Sequence, residues 1–351
     1  MRYEPRSVSI VRREIAQQPA VLERLLEGQA GAVAAAAADI RERAPAFVVI
    51  AARGSSDNAA RYAQHVFGRL CGLPVALATP SLHTVYGTPP RMGDALVLGI
   101  SQSGASPDVV RVIEDGRRQG AVTVAVTNDP ASPMGRAAAH VLELGTGAEE
   151  SVAATKTYTA SLGAVAALAA AIARDADRAA ELAAMPAILA AQLELTGDAA
   201  PAVARAAAWE RLAVAGRGAN YATAFEAALK IKELAAVVAE PYSPPDFLHG
   251  PIALVAPGYP VLAIAPSGPA LAGMRELLKE VRERGAEVVV VSDDASLADP
   301  GELLLPLVAS PEWLSPLVAV LPAQLLAVGV AEARGVDVDT PFGLSKVTRT
   351  T

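Results

Sequence analysis

From residue 98 to residue 106 the chain reads Leu98-Gly99-Ile100-Ser101-Gln102-Ser103-Gly104-Ala105-Ser106. The apolar residues before Ser101 predict a buried strand, and Pro107 opens a segment with the apolar spacing of a helix. A helix N-terminus offers unpaired N–H groups and the positive end of the helix dipole, and serine hydroxyls add donors. The sequence therefore predicts a loop that holds an anion such as phosphate, with a serine-rich helix cap as the alternative.

The same succession of strand, glycine turn and helix occurs a second time in the chain. Gly54 and Gly218 each follow an apolar run and are 164 residues apart, and Gly104 and Gly268 have the same separation. Two equal offsets in the same order indicate an internal repeat. Uninterrupted apolar strands that alternate with helices are typical of a parallel sheet covered on both faces. We therefore predict an α/β fold with two tandem units of roughly 150 residues, each a parallel β-sheet flanked by helices on both faces.

The two repeats differ in the residues that would hold an anion. The first unit has Ser-Gln-Ser at residues 101–103, whereas the second has Ala-Pro-Ser at residues 265–267. Proline lacks an N–H group and alanine lacks a hydroxyl, so the second loop has lost donors. We expect an anion site in the first unit only. The expected divisions are an N-terminal helical segment (1–36), a first domain with linker helices (37–200), a second domain (201–335) and a C-terminal tail (336–351).

Composition excludes several classes of protein. The net charge of −7 and the absence of a dense Lys/Arg cluster argue against a nucleic-acid partner. A single cysteine, Cys71, excludes a disulfide within the chain, and we expect no metal site and no cofactor. The N-terminus has no apolar signal region, and the apolar tract from Thr157 to Ala173 is short for a membrane span. We expect a cytoplasmic protein with no membrane partner, in which this tract is a buried helix.

A different polar group lies in the second unit. Glu226, Lys230 and Glu233 share one face of a predicted helix, for which a solvated surface salt bridge is the alternative. The segment from Glu240 to Pro251 is expected to be a long loop, stiffened by prolines, that presents His249. The polar C-terminal tail carries Lys346.

These motifs resemble the tandem sugar-isomerase (SIS) family, and in particular the isomerase half of glucosamine-6-phosphate synthases. The resemblance spans nearly the whole chain in the family's order and implies two tandem SIS domains. The matching motifs are Arg13-Glu14-Ile15 with Gln18-Pro19, Arg53-Gly54-Ser55-Ser56, Ser101-Gln102-Ser103-Gly104, Val152-Ala153-Ala154-Thr155-Lys156, Gly216-Arg217-Gly218, Leu229-Lys230-Ile231-Lys232-Glu233, His249-Gly250-Pro251, Asp337-Val338-Asp339 and Leu344-Ser345-Lys346.

The resemblance also implies roles for individual residues. Glu233 would move a proton between C1 and C2 of a hexose 6-phosphate with the help of Lys230, and Lys346 would form a Schiff base with the open-chain sugar. His249 would serve ring opening from the neighbouring subunit, which implies a homodimer. The phosphate and hydroxyls would be held by Ser56, Ser101, Gln102, Ser103 and Ser106, with backbone contacts near Val152 and Ala153.

The reaction that we expect depends on the source of ammonia. The synthases take ammonia from a glutaminase domain, and this sequence begins within the isomerase region. We therefore expect deamination, in which glucosamine 6-phosphate gives fructose 6-phosphate and ammonia. The stand-alone deaminases of the family also resemble this chain in length and in the ending Leu344-Ser345-Lys346-Val347-Thr348.

Two alternatives remain open. One is another enzyme with the same anion loop, such as a deglycase for 6-phosphofructosamine adducts or a deaminase for a galactosamine-type phosphate, with different contacts near Ala105 and Ala154. The other is a non-catalytic sugar-phosphate-binding regulator. A regulator would need the anion loop but not Glu233, His249 and Lys346 together.

Overall fold

The computed structural model describes residues 8–197, 199–341, 343 and 346 of the chain. The first seven residues of the expected N-terminal segment lie outside this part, as do Leu344, Ser345 and the residues after Lys346. The described chain opens with three helices, α1 (Ile10–Ala16), α2 (Gln18–Gly28) and α3 (Ala30–Arg43), as the sequence predicts. The expected boundary after residue 36 falls inside α3.

Among the described residues, five parallel strands form the first sheet. The elements of this half are β1 (Phe47–Ala51), α4 (Ser55–Val66), β2 (Val75–Leu77), α5 (Ser81–Thr84), β3 (Ala95–Ile100), α6 (Pro107–Arg118), β4 (Val122–Thr127), α7 (Pro133–Ala137) and β5 (His140–Glu143). The strand order is β2-β1-β3-β4-β5. A π-helical turn, Phe67–Cys71, continues α4.

In the described part of the chain, four helices connect the two halves. They are α8 (Lys156–Ala173), α9 (Ala176–Ala183), α10 (Met185–Thr196) and α11 (Ala200–Ala206). The prediction of a buried helix over the alanine-rich tract is confirmed by α8, most of whose side chains are buried.

The second half repeats the plan of the first. Its elements are β6 (Arg211–Gly216), α12 (Asn220–Ala235), β7 (Val238–Tyr242), α13 (Pro244–Leu248), β8 (Pro260–Ile264), α14 (Leu271–Glu283), β9 (Glu287–Ser292), β10 (Leu303–Pro306) and α15 (Ser315–Ala333). The sheet is parallel in the order β10-β9-β8-β6-β7, which is the topology of the first sheet. The α/β fold with two parallel sheets is therefore confirmed.

The central strands bury side chains on both faces, which explains their continuous apolar sequence. In β3, Leu96 and Leu98 lie in the core between the two sheets, which also contains Leu262 of β8. Val97, on the opposite face, packs in the outer core beneath α6. The alternation follows from the two-residue period of a strand.

Two helical segments in the described part of the chain are long and apolar enough to cross a membrane. They are Lys156–Ala173 and Glu312–Ala333, and 78% and 94% of their apolar windows are buried inside the fold. Both are therefore accounted for as core helices, whose buried residues belong to the main hydrophobic core.

The structure of the segment from Glu240 to Pro251 differs from the prediction. It is not one long loop: its first residues complete β7, and Ser243 then caps the short helix α13 through the N–H of Asp246. The prediction failed because β7 is an edge strand with several exposed side chains, so the segment lacks an uninterrupted apolar run.

Candidate active site

A cleft of about 350 Å³ opens where β1 and β3 lie side by side. After β1 the chain continues to β2 at one edge of the sheet, and after β3 it continues to β4 and β5 toward the other edge. The loops that follow β1 and β3 therefore diverge. Open parallel sheets bind ligands in the crevice that forms at this point. The cleft is lined by Arg53, Gly54, Ser55, Ser56, Ile100, Ser101, Gln102, Ser103, Ser106, Val109, Glu149, Val152, Ala154, Thr157, Tyr158, Lys230, Glu233 and Lys346.

The serine loop, residues 101–106, is held by hydrogen bonds to β4 and within the loop. The Ser101 N–H donates to the Val126 carbonyl at 3.1 Å, and the Ser101 hydroxyl accepts from the Gly104 N–H at 3.2 Å. Gly104 has φ +59°, and a Cβ there would lie 2.1 Å from the Ser132 hydroxyl oxygen. Only glycine therefore fits at this turn.

Ser106 stands at the N-cap position of α6, but its side chain makes no capping hydrogen bond. The helix-cap alternative is therefore wrong for this serine. Its hydroxyl lines the cleft beside those of Ser101 and Ser103, next to the positive end of α6. This arrangement is suited to binding an anion.

Arg53 adds a positive charge at the rim of the cleft. Its guanidinium lies 2.6 Å from the carboxylate of Asp108, which is almost fully buried in the first turn of α6. The ion pair fixes the turn after β1 against the turn after β3. The two loops that line the cleft are therefore joined to each other.

The second half supplies Lys230 and Glu233 from α12. The ammonium nitrogen of Lys230 lies 2.5 Å from a carboxylate oxygen of Glu233 and 3.5 Å from Glu226. Burial opposes the charge of Lys230, but the two carboxylates outweigh it, so its pKa is raised. Lys230 and Glu226 are fully buried, so the alternative of a solvated surface salt bridge is wrong.

Lys346 reaches the same cleft from the C-terminal tail. Its ammonium group donates to Glu149 at 2.7 Å and to the Ser151 carbonyl at 2.8 Å. Burial alone would raise the pKa of Glu149, but the charge of Lys346 and hydrogen bonds from Lys346, Thr155 and Thr157 lower it. Glu149 is thus an ionised anchor that holds Lys346 at the cleft wall.

The remaining predicted binding residues are divided. Ser56, in the first turn of α4, lines the cleft, and so does Val152. Ala153 is buried, its carbonyl accepts from the Ser151 hydroxyl at 2.7 Å, and it is not among the described residues that line the cleft.

His249 is the predicted catalytic residue that the fold leaves outside this cleft. It is exposed at the end of α13, and its Nδ1–H donates to the Pro245 carbonyl at 2.7 Å. The described lining of the cleft in its own chain does not include it. The imidazole is therefore presented to solvent on the surface of the second domain.

In the corresponding loop of the second domain, residues 265–268, a backbone N–H group is bonded within the chain. The N–H of Ser267 donates to Asp293 at 2.7 Å, and Gly268 lies directly against the side chain of Glu312. One of the amides that remained in the second loop is therefore taken by a carboxylate of the chain.

The cleft also contains residues that were not predicted from the sequence as part of the site, among them Arg53, Ser55, Glu149, Thr157 and Tyr158. Arg53 and Ser55 belong to the same motif as Ser56, which was predicted to bind the phosphate. Their position beside Ser56 could therefore have indicated that they line the cleft. Glu149 had no comparable signal, because its partner Lys346 is 197 residues away. Within the described residues, no group of three or more His, Cys, Asp or Glu side chains is arranged to hold a metal ion.

Comparison with known proteins places this architecture among its relatives. Residues 45–171 and 207–333 each match the family model of the SIS domain. The chain is 34% identical over 353 residues to the glutamine–fructose-6-phosphate aminotransferase (isomerizing) of Zymomonas mobilis, covering 96% of this chain and 58% of that protein. It therefore spans a little over half the length of this curated relative.

Two solved structures have the same fold along nearly the whole chain. A protein of Silicibacter pomeroyi classed as a phosphosugar isomerase is 38% identical, with a TM-score of 0.86 and coverage of 95% of this chain and 100% of that one. The C-terminal domain of glucosamine-fructose-6-phosphate aminotransferase from Francisella tularensis is 26% identical, with a TM-score of 0.88 and coverage of 97% and 100%.

Proposed function

This chain belongs to the family of proteins built from SIS domains, and we propose that it is an enzyme that isomerises a sugar 6-phosphate. One observation carries the proposal. A single cleft combines the serine loop of the first domain, the Lys230–Glu233 pair of the second domain and Lys346 of the tail. An anion loop alone would suit a binding protein, whereas a carboxylate and two amines beside it suit proton transfer and imine chemistry.

The narrower proposal is that the enzyme deaminates glucosamine 6-phosphate to fructose 6-phosphate. This reaction needs only water as a second reactant, whereas synthesis needs a source of ammonia. The one cysteine of the chain, Cys71, has its thiol pKa raised to about 11 by burial and is not part of the cleft. A thiol of this kind is a poor nucleophile for hydrolysing glutamine.

In the proposed complex the phosphate lies among the hydroxyls of Ser56, Ser101, Ser103 and Ser106, with the Gln102 side chain beside it. Hydrogen bonds to a charged group contribute about 1.5–3 kcal/mol each, so several of them anchor the sugar firmly. With the phosphate anchored there, C1 and C2 of the sugar lie on the side of the cleft that α12 forms. Val152, which lines the cleft, contributes a backbone contact to the sugar in this proposal.

Glu233 is the proposed base for the proton transfer. It removes the proton from C2 of the open-chain amino sugar, and the C2–H electron pair moves through C1 to the carbonyl oxygen, which takes up a proton. Glu233 then returns its proton to C1, which leaves a C2 iminium. Lys230 places a positive charge next to this path and stabilises the negative charge that develops on oxygen.

Lys346 completes the proposed reaction through covalent catalysis. After giving up a proton to water, its amine adds to C2 of the iminium. The original C2–N bond then breaks, ammonia leaves, and a C2 imine with Lys346 forms. Water then adds to C2, and fructose 6-phosphate leaves as the lysine amine is regenerated. Glu149 keeps the nitrogen of Lys346 at the cleft wall before and after this exchange.

We propose that His249 opens the sugar ring in the cleft of a second copy, so the enzyme acts as a homodimer. The exposure of His249 outside its own cleft supports this assignment. Mixing His249→Ala and Glu233→Gln chains is expected to restore about a quarter of wild-type activity, since half of the random dimers then hold one intact site. Activity no higher than that of either variant alone contradicts the shared site.

We also propose a functional division of the chain. Residues 37–200 form the phosphate-binding domain with its linker helices, and residues 201–335 form the catalytic domain, flanked by segments 1–36 and 336–351. We further propose a cytoplasmic location, and the burial of both long apolar helices inside the fold argues that neither of them spans a membrane.

A panel of substrates tests the proposed activity. The purified chain is incubated with glucosamine 6-phosphate, galactosamine 6-phosphate and a 6-phosphofructosamine adduct, and ammonia, ketose phosphate and free amino acid are measured. We expect ammonia and fructose 6-phosphate in equal amounts from glucosamine 6-phosphate. Amino acid release from the adduct alone would establish the deglycase instead, and binding without any turnover would favour the regulator.

Replacing Ser103 with alanine is expected to raise KM for the sugar phosphate by about 10–100-fold, because one hydrogen bond to a charged phosphate is lost. Ser267→Ala, at the corresponding position of the second domain, is the matched control and should leave KM unchanged. Steady-state kinetics of both variants distinguish the two loops. An equal effect of the two substitutions contradicts the assignment of the phosphate to the first domain.

A further inference from the structure

Glu226 is a buried carboxylate for which the proposed reaction has no direct use. It lies in the middle of α12, is fully buried, and is not among the described residues that line the cleft. Its oxygens accept from the Ser55 hydroxyl at 2.9 Å and from the Asn58 side-chain amide at 2.8 Å, while Lys230 lies 3.5 Å away. The carboxylate therefore contacts both domains, since Ser55 and Asn58 belong to α4.

The contacts of Glu226 connect the two ends of the cleft. Ser55 precedes Ser56 in the first turn of α4, directly after β1, and both line the cleft. Lys230 is the ion-pair partner of Glu233 on the opposite side. A continuous path of side chains thus runs from the turn after β1, through Glu226 and Lys230, to Glu233.

The internal repeat indicates that the fold itself does not need this carboxylate. With the 164-residue offset of the repeat, Tyr62 of α4 corresponds to Glu226, and Val66 corresponds to Lys230. The helices α4 and α12 pack against each other, and both Tyr62 and Val66 are buried there without charge. The charged pair occurs only in the helix that supplies Lys230 and Glu233 to the cleft.

Burial of a carboxylate is unfavourable unless it is paired. Burial raises the pKa of Glu226, and the charge of Lys230 and the hydrogen bonds from Asn58 and Ser55 counter this only in part. The arrangement is costly for stability, which argues for a role in the site.

We propose that Glu226 is a positioning residue that couples the phosphate-binding turn of the first domain to the Lys230–Glu233 pair of the second domain. This inference rests on the proposed function of the cleft. Glu226 shares the ammonium group of Lys230 with Glu233, so Lys230 does not form an exclusive pair with the base. Through Ser55 and Asn58, the same carboxylate fixes the distance between the bound phosphate and the reacting carbons.

Kinetics of Glu226→Gln test the effect on the base. We expect kcat for glucosamine 6-phosphate to fall by about 10–100-fold with KM changed by less than about threefold, because the substrate does not touch Glu226. Glu226→Asp, which keeps the charge, should recover part of kcat. Thr223→Val removes a different buried hydrogen bond of α12 and should leave kcat unchanged.

A change in KM alone, or a loss of activity that matches a fall in the folded fraction measured by thermal unfolding, would overturn the positioning role. Unchanged kcat in Glu226→Gln would overturn it as well. Absence of turnover by the wild-type chain on every substrate of the panel counts against the proposed function instead.

Hydrogen exchange with inorganic phosphate tests the coupling without turnover. In the wild-type chain, phosphate should slow exchange both in residues 53–58 and in residues 226–234 of α12. In Glu226→Gln, the protection should remain in residues 53–58 and be lost in α12. Equal protection of α12 in the two proteins, or no protection of α12 in the wild type, would overturn the proposal.

Discussion

Replacing Glu233 with glutamine is expected to lower kcat for glucosamine 6-phosphate on the order of a thousandfold, within the range that general bases contribute. Glutamine has nearly the same shape and still accepts a hydrogen bond from Lys230, but it cannot take up the C2 proton. The substrate phosphate is held by the serine loop in the other domain. Binding of the sugar phosphate should therefore survive the substitution.

The measurement is a coupled assay for fructose 6-phosphate, with calorimetry for the affinity of glucose 6-phosphate. Glu240→Gln makes the same chemical change at an exposed position of β7 and serves as the control. A kcat within about threefold of wild type would refute Glu233 as the base. Loss of sugar-phosphate binding together with activity would assign Glu233 a structural role.

Replacing Lys346 with arginine is expected to have the second-largest effect, a fall in kcat of roughly a hundredfold or more, because arginine cannot form the imine. Arginine keeps the positive charge beside Glu149, whose pKa is lowered partly by this pairing. The position of residue 346 at the cleft should therefore be retained. The fall in kcat would then reflect the missing imine and not a change in structure.

Reduction with borohydride in the presence of fructose 6-phosphate measures this directly. The wild-type chain should gain the mass of one reduced sugar phosphate on Lys346, and Lys346→Arg should gain none. Lys279→Arg, at an exposed position of α14, is the control and should be labelled as wild type. An adduct of equal amount in Lys346→Arg would remove Lys346 from the mechanism.

Much of the fold could be predicted because its central strands are buried on both faces. β1, β3, β4, β8 and β9 are continuous apolar runs, and their repetition at a fixed offset indicated two sheets of one kind. The edge strands could not be found in this way. β2 and β10 are short and only partly buried, so their sequences lack a clear period.

The site was predictable where one motif contains all its members. The serine loop and the Lys230–Glu233 pair are local patterns, and the cleft contains both. Other contacts at the site are not local: Ser55 is 171 residues from Glu226, and Lys346 is 197 residues from Glu149. Such partners are set by the packing of the two domains, which sequence spacing does not report.

The most direct test of the account is a crystal structure of the Glu233→Gln variant with glucosamine 6-phosphate. We expect the phosphate among the hydroxyls of Ser101, Ser103 and Ser106, with C2 between the side chain at position 233 and Lys346. A phosphate bound at residues 265–268 of the second domain would contradict it. So would a sugar whose C1 and C2 lie away from residue 233.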